Sequence, residues 1–153
     1  MRRPGPNAEV VVAYTGAVAP EAIEAVGLLG ESRRDIGLLA VTSADRLHAG
    51  WSAARKLRRD RRGVAHLSHI EKLLAPLSRD CGFVTVIDGH PATLAWLGSV
   101  HGHRAEALGV EHFGQTGTID DLYRHHGIDA NAIIDAAESL TAGAPVRHRK
   151  LAV

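Results

Sequence analysis

The chain has almost no cysteine: Cys81 stands alone among 153 residues. A disulfide framework is therefore excluded, and a reducing, cytoplasmic setting is the simplest expectation. Aromatic residues are nearly as scarce, at 4%, so aliphatic side chains have to fill the core. Long apolar runs are missing too; none approaches the roughly 20 residues of a membrane span. The opening MRRPGPNAEV has charge and proline but no apolar segment behind them, and does not read as a signal peptide. Formal net charge is only +1, which removes any global attraction to nucleic acid or anionic lipid. What is present is ordinary globular composition, 45% hydrophobic and 23% charged, in a length that suits one domain with a real core. The expected organisation is an extension over 1–8, a single α/β domain over 9–142 and a frayed tail over 143–153.

Strand and helix signals alternate along the chain. EVVVAYTG (9–16), IGLLAV (36–41) and FVTVID (83–88) are continuous apolar runs, the pattern of parallel strands covered on both faces. AEALGV (105–110) is a weaker strand suited to an edge. Pro20 fits the first turn of a helix carrying Ile23, Val26 and Leu29, with Gly30 as its stop. The segment from Ser43 begins as a loop and turns helical near Ser52. Ser68 and Glu71 have capping-box spacing ahead of Ile70, Leu73, Leu74 and Leu77, and Pro76 ends or kinks that helix. PATLAWLGSVHG (91–102) reads as a helix. Thr118 with Asp121, and Asp129, are caps for the last two helices, with Gly127 as the stop between them. The order β-α-β-α-β-α-β-α-α argues a three-layer α/β fold, mostly parallel, with helices on both faces.

Four constellations carry candidate chemistry. Asp88, Gly89 and His90, followed by Pro91, lie at a strand's carboxyl end, where open α/β sheets bind ligands. They form either an acid/base pair or a strand-to-helix turn. A small-ligand or nucleotide-binding module would line the same crevice with Thr15, Gly16 and Ser43. The basic run RKLRRDRR (55–62) offers Arg58, Arg59, Arg61 and Arg62 to an acidic partner, or forms a solvated helix face. Ten histidines include the pairs His66/His69, His101/His103 and His125/His126, yet none matches H-E-x-x-H or a spaced Cys/His set, so no metal site is assigned. EHFGQTGT (111–118) has glycines suited to a phosphate loop but lacks the Walker lysine, and Phe113 is expected to plug the core beneath it.

The stretches VVAYTGAVAPEAIEAV (11–26), VTSADRLHAGWSAAR (41–55), SHIEKLLAPL (68–77), VTVIDGHPATLAWLGSV (84–100) and LGVEHFGQTGTIDDLYRHHGIDANAIIDAAESL (108–140) stand in an order that carries a resemblance. The chain resembles the C-terminal domain of the transketolase-like, thiamin-diphosphate-dependent enzymes. The nearest look is the homodimeric type of pyruvate dehydrogenase E1 component. The resemblance implies a largely parallel sheet with one antiparallel edge strand, and a scaffold and assembly role without turnover on its own. It implies that thiamin diphosphate and magnesium belong to other domains of a parent enzyme, with no cofactor, metal or catalytic residue here. Implied partners are those domains, a second copy in a homodimer and an acyltransferase core subunit; neither nucleic acid nor membrane is among them. IDGHPATL is not the family's Gly-Asp-Gly magnesium–diphosphate signature. The chain is then a fragment or the product of a divided gene.

Overall fold

A computed structural model describes residues 4–31, 35–61 and 65–142. The expected tail over 143–153 and Arg62 lie outside the described residues. Four strands form one sheet: β1 (Val10–Thr15), β2 (Ile36–Ala40), β3 (Gly82–Ile87) and β4 (Ala105–Leu108), in the order β2-β1-β3-β4. All three pairings are parallel, with Val10 opposite Ile36 and Gly82, and Phe83 opposite Ala105.

Because successive strand residues point to opposite faces, the continuous apolar runs feed two cores. Val10, Val12, Val84 and Val86 face helices α1 (Ala19–Glu31) and α6 (Ala130–Thr141). Val11, Ala13, Phe83 and Ile87 face α2 (Ala44–Asp60), α3 (His69–Leu74) and α4 (Ala92–Ala95). The short α5 (Ile119–His126) follows β4 and precedes α6. The three-layer α/β reading therefore holds.

The edge strand is a correction. An antiparallel edge was expected, but β4 runs parallel to β3. The reason lies in the connection: α4 and the 3-10 turn Trp96–Ser99 form a crossover that returns the chain to the amino end of the sheet. The helix expected over 91–102 is for the same reason only that one α turn and its 3-10 extension. A Cβ at Gly98 would stand 2.6 Å from the Ala105 Cβ, and Gly102 turns the chain at φ +75°. Two helix boundaries also differ. α1 continues through Gly30, which keeps a right-handed backbone. α2 begins at Ala44 rather than Ser52, because Ala44, Leu47 and Trp51 already form one core-facing stripe.

The expected caps hold. Ser68 and Glu71 form a reciprocal capping box on α3, Thr118 and Asp129 accept from the third amides of α5 and α6, and Gly127 ends α5 at φ +63°. The core-facing stripe of α6, Ile133, Ala137 and Leu140, is buried.

Candidate functional site

In a sheet ordered β2-β1-β3-β4, the crossovers leaving β1 and β3 diverge, so the switch point lies between the carboxyl ends of those strands. A phosphate would normally meet backbone amides there. Here the chain supplies its own carboxylate. Asp88 follows β3 directly, and its Oδ2 accepts from the Ala17 amide at 3.2 Å. Gly16 sits at φ +82° immediately before that amide, and any Cβ on it would strike the Asp88 carboxylate. The other side of the turn is equally engaged. Gly89 accepts from Val110 N at 2.7 Å, and a side chain at Gly109 would meet Gly89 O at 2.6 Å and Pro91 N at 2.7 Å. His90 Nδ1 accepts from Ala92 N at 3.2 Å and so caps α4. Residues 88–91 thus clasp the carboxyl ends of β1, β3 and β4 together.

Two clefts flank this clasp, and a third lies away from it. One of about 220 Å³ is lined by Asp88, His112, Leu122, Tyr123, His126 and Ile128, among others. Burial raises the Tyr123 phenol's pKa above its ordinary value, and the negative charges of Asp88 and Glu21 push it further in the same direction. A second cleft, about 300 Å³, lies beside β4 between Glu111, His112, His125 and His126. The third, about 340 Å³, lies beyond β2 and contains Thr42, Ser43, Arg46 and His69. The residues grouped as one crevice in the sequence therefore separate: Gly16 and Asp88 meet, while Ser43 lines a different cleft from Asp88. Tyr123, His112 and His126 were not anticipated beside Asp88. The one signal for them was the glycine-bearing loop between β4 and α5, which the Gly89–Val110 bond fixes against the turn.

The Phe113 expectation is overturned. The ring is 90% exposed, as is much of the loop around it. The core beneath is already filled by Ile128 and Leu108, and positive φ at Gly114 (115°) turns the loop outward.

The basic run divides. Arg58 is turned inward, its Nη2 2.6 Å from Glu71 Oε1 and its Nη1 3.2 Å from Glu71 Oε2, and it also donates to the His66 carbonyl. Glu71 accepts from Ser68 N and from Ser68 Oγ, each at 2.7 Å. Burial pulls the Glu71 pKa upward, but the hydrogen bonds from Arg58 and Ser68 and the Arg58 charge outweigh it and bring the pKa down to about 2. Arg59 and Arg61 are exposed. His103 is buried with Nδ1 3.1 Å from the Cys81 carbonyl and, among the described residues, no hydrogen-bond partner at Nε2. Burial lowers its pKa below the ordinary value. Cys81 is buried and outside any disulfide, its Sγ 3.5 Å from the Gly82 carbonyl.

A magnesium–diphosphate group requires several hard oxygen donors around one point. Among the described residues no three His, Cys, Asp or Glu side chains converge in that way, and the carboxylate at the switch point already holds the amide an anion would take. The donor set does not fit such a group. No helix among the described residues is long and apolar enough to cross a membrane.

No family model matches the chain, and no curated protein matches it at the significance required. Solved structures do. A split-gene transketolase, an inactive β4 tetramer, superposes with a TM-score of 0.61 at 15% identity, covering 86% of this chain and 39% of that one. Transketolase from Leishmania mexicana gives 0.56 at 16% identity, over 93% of this chain and 18% of that one. The fold is of the transketolase type. The chain spans well under half the length of either enzyme it resembles.

Proposed function

We propose that this chain is the C-terminal scaffold and assembly domain of a thiamin-diphosphate-dependent enzyme, of the transketolase or pyruvate dehydrogenase E1 type. Cofactor, magnesium and chemistry reside in other domains of the parent. The observation that carries this reading is the transketolase-type superposition over 86% of the chain. The switch point held by Asp88 supports it: a domain that clasps its strand ends with its own carboxylate is built to be rigid rather than to receive an anion. That same contact disfavours a small-ligand or nucleotide module. The split-gene transketolase offers a parallel, since it assembles as an inactive tetramer. A divided enzyme of this kind would recover its activity only with the complementary polypeptide. The reading carries with it a homodimeric parent and, in the E1 variant, an acyltransferase core subunit as a further partner.

The test is a titration of the purified chain with thiamin diphosphate and magnesium, beside assays with pyruvate and with ketose phosphates. No binding and no turnover are expected from the chain alone. Turnover is expected once a polypeptide bearing the Gly-Asp-Gly diphosphate signature from the same source is added. Cofactor binding or turnover by the chain alone overturns the reading.

A further inference from the structure

A net charge of +1 conceals a segregation that only the fold exposes. The layer of α1 and α6 carries Glu21, Glu24, Glu31, Asp135 and Glu138 and no lysine or arginine. On the opposite side of the sheet, α2 carries Arg46, Arg55, Lys56, Arg58 and Arg59 against Asp45 and Asp60. Arg58 is consumed by Glu71, and Arg59 reaches Asp60 only at 3.9 Å with both side chains well exposed. Among the described residues, Arg55 and Lys56 have no ion-pair partner. On the helical repeat, His48, Ser52, Arg55 and Arg59 share one outward stripe, with Lys56 beside it.

That stripe borders an aromatic cluster. The chain has two tryptophans, and both are in it. Trp51 and Trp96 stack at 5.2 Å, His48 stands edge-on to Trp96 at 5.0 Å, and the Arg55 guanidinium lies 4.6 Å above the Trp51 ring. Trp96 is half-buried with its Nε1 donating to Thr93 O, so its ring is held in place rather than free to move. A fixed tryptophan pair with a stacked arginine, edged by further cations, is the composition of a binding hot spot and its rim.

We infer that this face docks an acidic segment of another polypeptide, with Trp96 and Arg55 as the anchor, backed from the core by the buried Trp51, and with Lys56 and Arg59 as the charged rim. From His48 to Arg59 the stripe runs roughly 16 Å at about 1.5 Å per residue, the length of three turns of a partner helix. Nucleic acid fits less well. Non-specific binding draws on roughly six to ten phosphate contacts, whereas this stripe offers three unburied cations, and the acidic layer behind it repels a wrapping polyanion. The inference does not depend on the scaffold reading, because it concerns α2 and the 3-10 turn after α4 whatever the parent's chemistry.

Tryptophan emission reports on the face directly. The whole chain is titrated with a synthetic glutamate homopeptide of about 15 residues at low salt, matching the three-turn stripe. A saturable emission change is expected, weakening by about tenfold or more when salt approaches 0.5 M. The double variant Arg55→Glu/Arg59→Glu, whose circular dichroism verifies its fold, is expected to lose at least about tenfold in affinity. A lysine peptide of equal length is expected to leave emission unchanged. No saturable change up to about 1 mM peptide, the ceiling of a weak specific contact, overturns the inference. So does equal binding by the double variant, or tighter binding of oligothymidylate. Salt-sensitive self-association that vanishes in the same variant also overturns it, by assigning the face to the acidic layer of a second copy.

Discussion

The two sides of the sheet are built by different physics. On the side of α1 and α6, packing is aliphatic and close: Ala22, Ala25, Ala130, Ala136 and Ala137 let both helices approach Val10, Val12, Val84 and Val86. A specific polar tie joins them through Glu21, whose Oε2 accepts from Ala130 N at 2.8 Å. On the side of α2, α3 and α4 the filling is aromatic and mixed, with Phe83, Trp51, Leu94 and Leu97. There α3 is tied to α2 by Arg58, Glu71 and Ser68, and to the turn after Trp96–Ser99 by His101 Nε2 against Glu71 O at 2.9 Å. The first side depends on shape, and the second on a polar network whose strength changes with pH. The comparison predicts that the two sides fail differently.

The largest effects come from emptying either core. Phe83→Ala removes the one phenylalanine that is fully buried, and about 3–5 kcal/mol of stability is expected to go with it. Ile133→Ala, on the aliphatic side, is expected to cost about 2–5 kcal/mol by the same transfer and cavity costs. Urea unfolding at neutral pH measures both. Since domains of this size hold only about 5–15 kcal/mol, either variant is marginal. Equal and small losses would mean that neither core is packed as described.

Glu71→Gln sharpens the contrast. The carboxylate is buried and bidentate to Arg58, so losing its charge is expected to cost on the order of 2–3 kcal/mol at pH 7, reduced by solvent screening at Arg58. Its folded pKa, about 2, lies below the ordinary 4.5. The stability it contributes is therefore complete above pH 4.5 and disappears as pH falls toward 2. The gap between wild type and Glu71→Gln should close over that window. A gap constant with pH would show that the charge is not responsible.

His103→Phe acts more weakly and in a different window. The neutral form is the one the fold accommodates: burial depresses the pKa, and the charge of His101 adds to the depression. The histidine's share of stability is present above the ordinary 6.5 and declines as pH falls below it. Phenylalanine loses the bond to the Cys81 carbonyl, about 1 kcal/mol at pH 8. It also removes the buried Nε2 that has no hydrogen-bond partner among the described residues. The deficit should narrow as pH is lowered through 6.5, and a deficit that widens would refute the buried neutral ring.

What the sequence made legible follows from how local each signal was. Val10 to Ala13 and Phe83 to Ile87 announced parallel strands because both neighbours of each residue were apolar. Ser68, Glu71, Thr118, Asp121 and Asp129 announced caps because a cap is complete within four residues. The direction of β4 was not legible, since it depends on whether α4 carries the chain back across the sheet, and a one-turn helix with a 3-10 extension leaves little periodicity. Nor was the exposure of Phe113, which depends on Ile128 and Leu108 having filled the core first. The aromatic face was hidden for the same reason: Trp51 and Trp96 are 45 positions apart in sequence and 5.2 Å apart in space. The segregation of charge needed the layer assignment of every helix, and composition alone averaged it to +1.

The smallest expected effect decides the most about function. Asp88 is exposed, and the bond it accepts from the Ala17 amide is 3.2 Å long. Asp88→Ala is therefore expected to cost no more than about 1 kcal/mol. Hydrogen exchange should show where the cost falls. The Ala17 amide should exchange faster, while the Val110 amide, bonded to the Gly89 carbonyl, should keep its protection. That pattern belongs to a clasp whose two sides are independent. If Asp88 instead holds a reactive position in the assembled parent, the variant will fold equally well and assemble equally well, yet the complex will lose activity by orders of magnitude. Loss confined to stability keeps Asp88 among the structural residues, where the contacts to Gly16 and Ala17 put it.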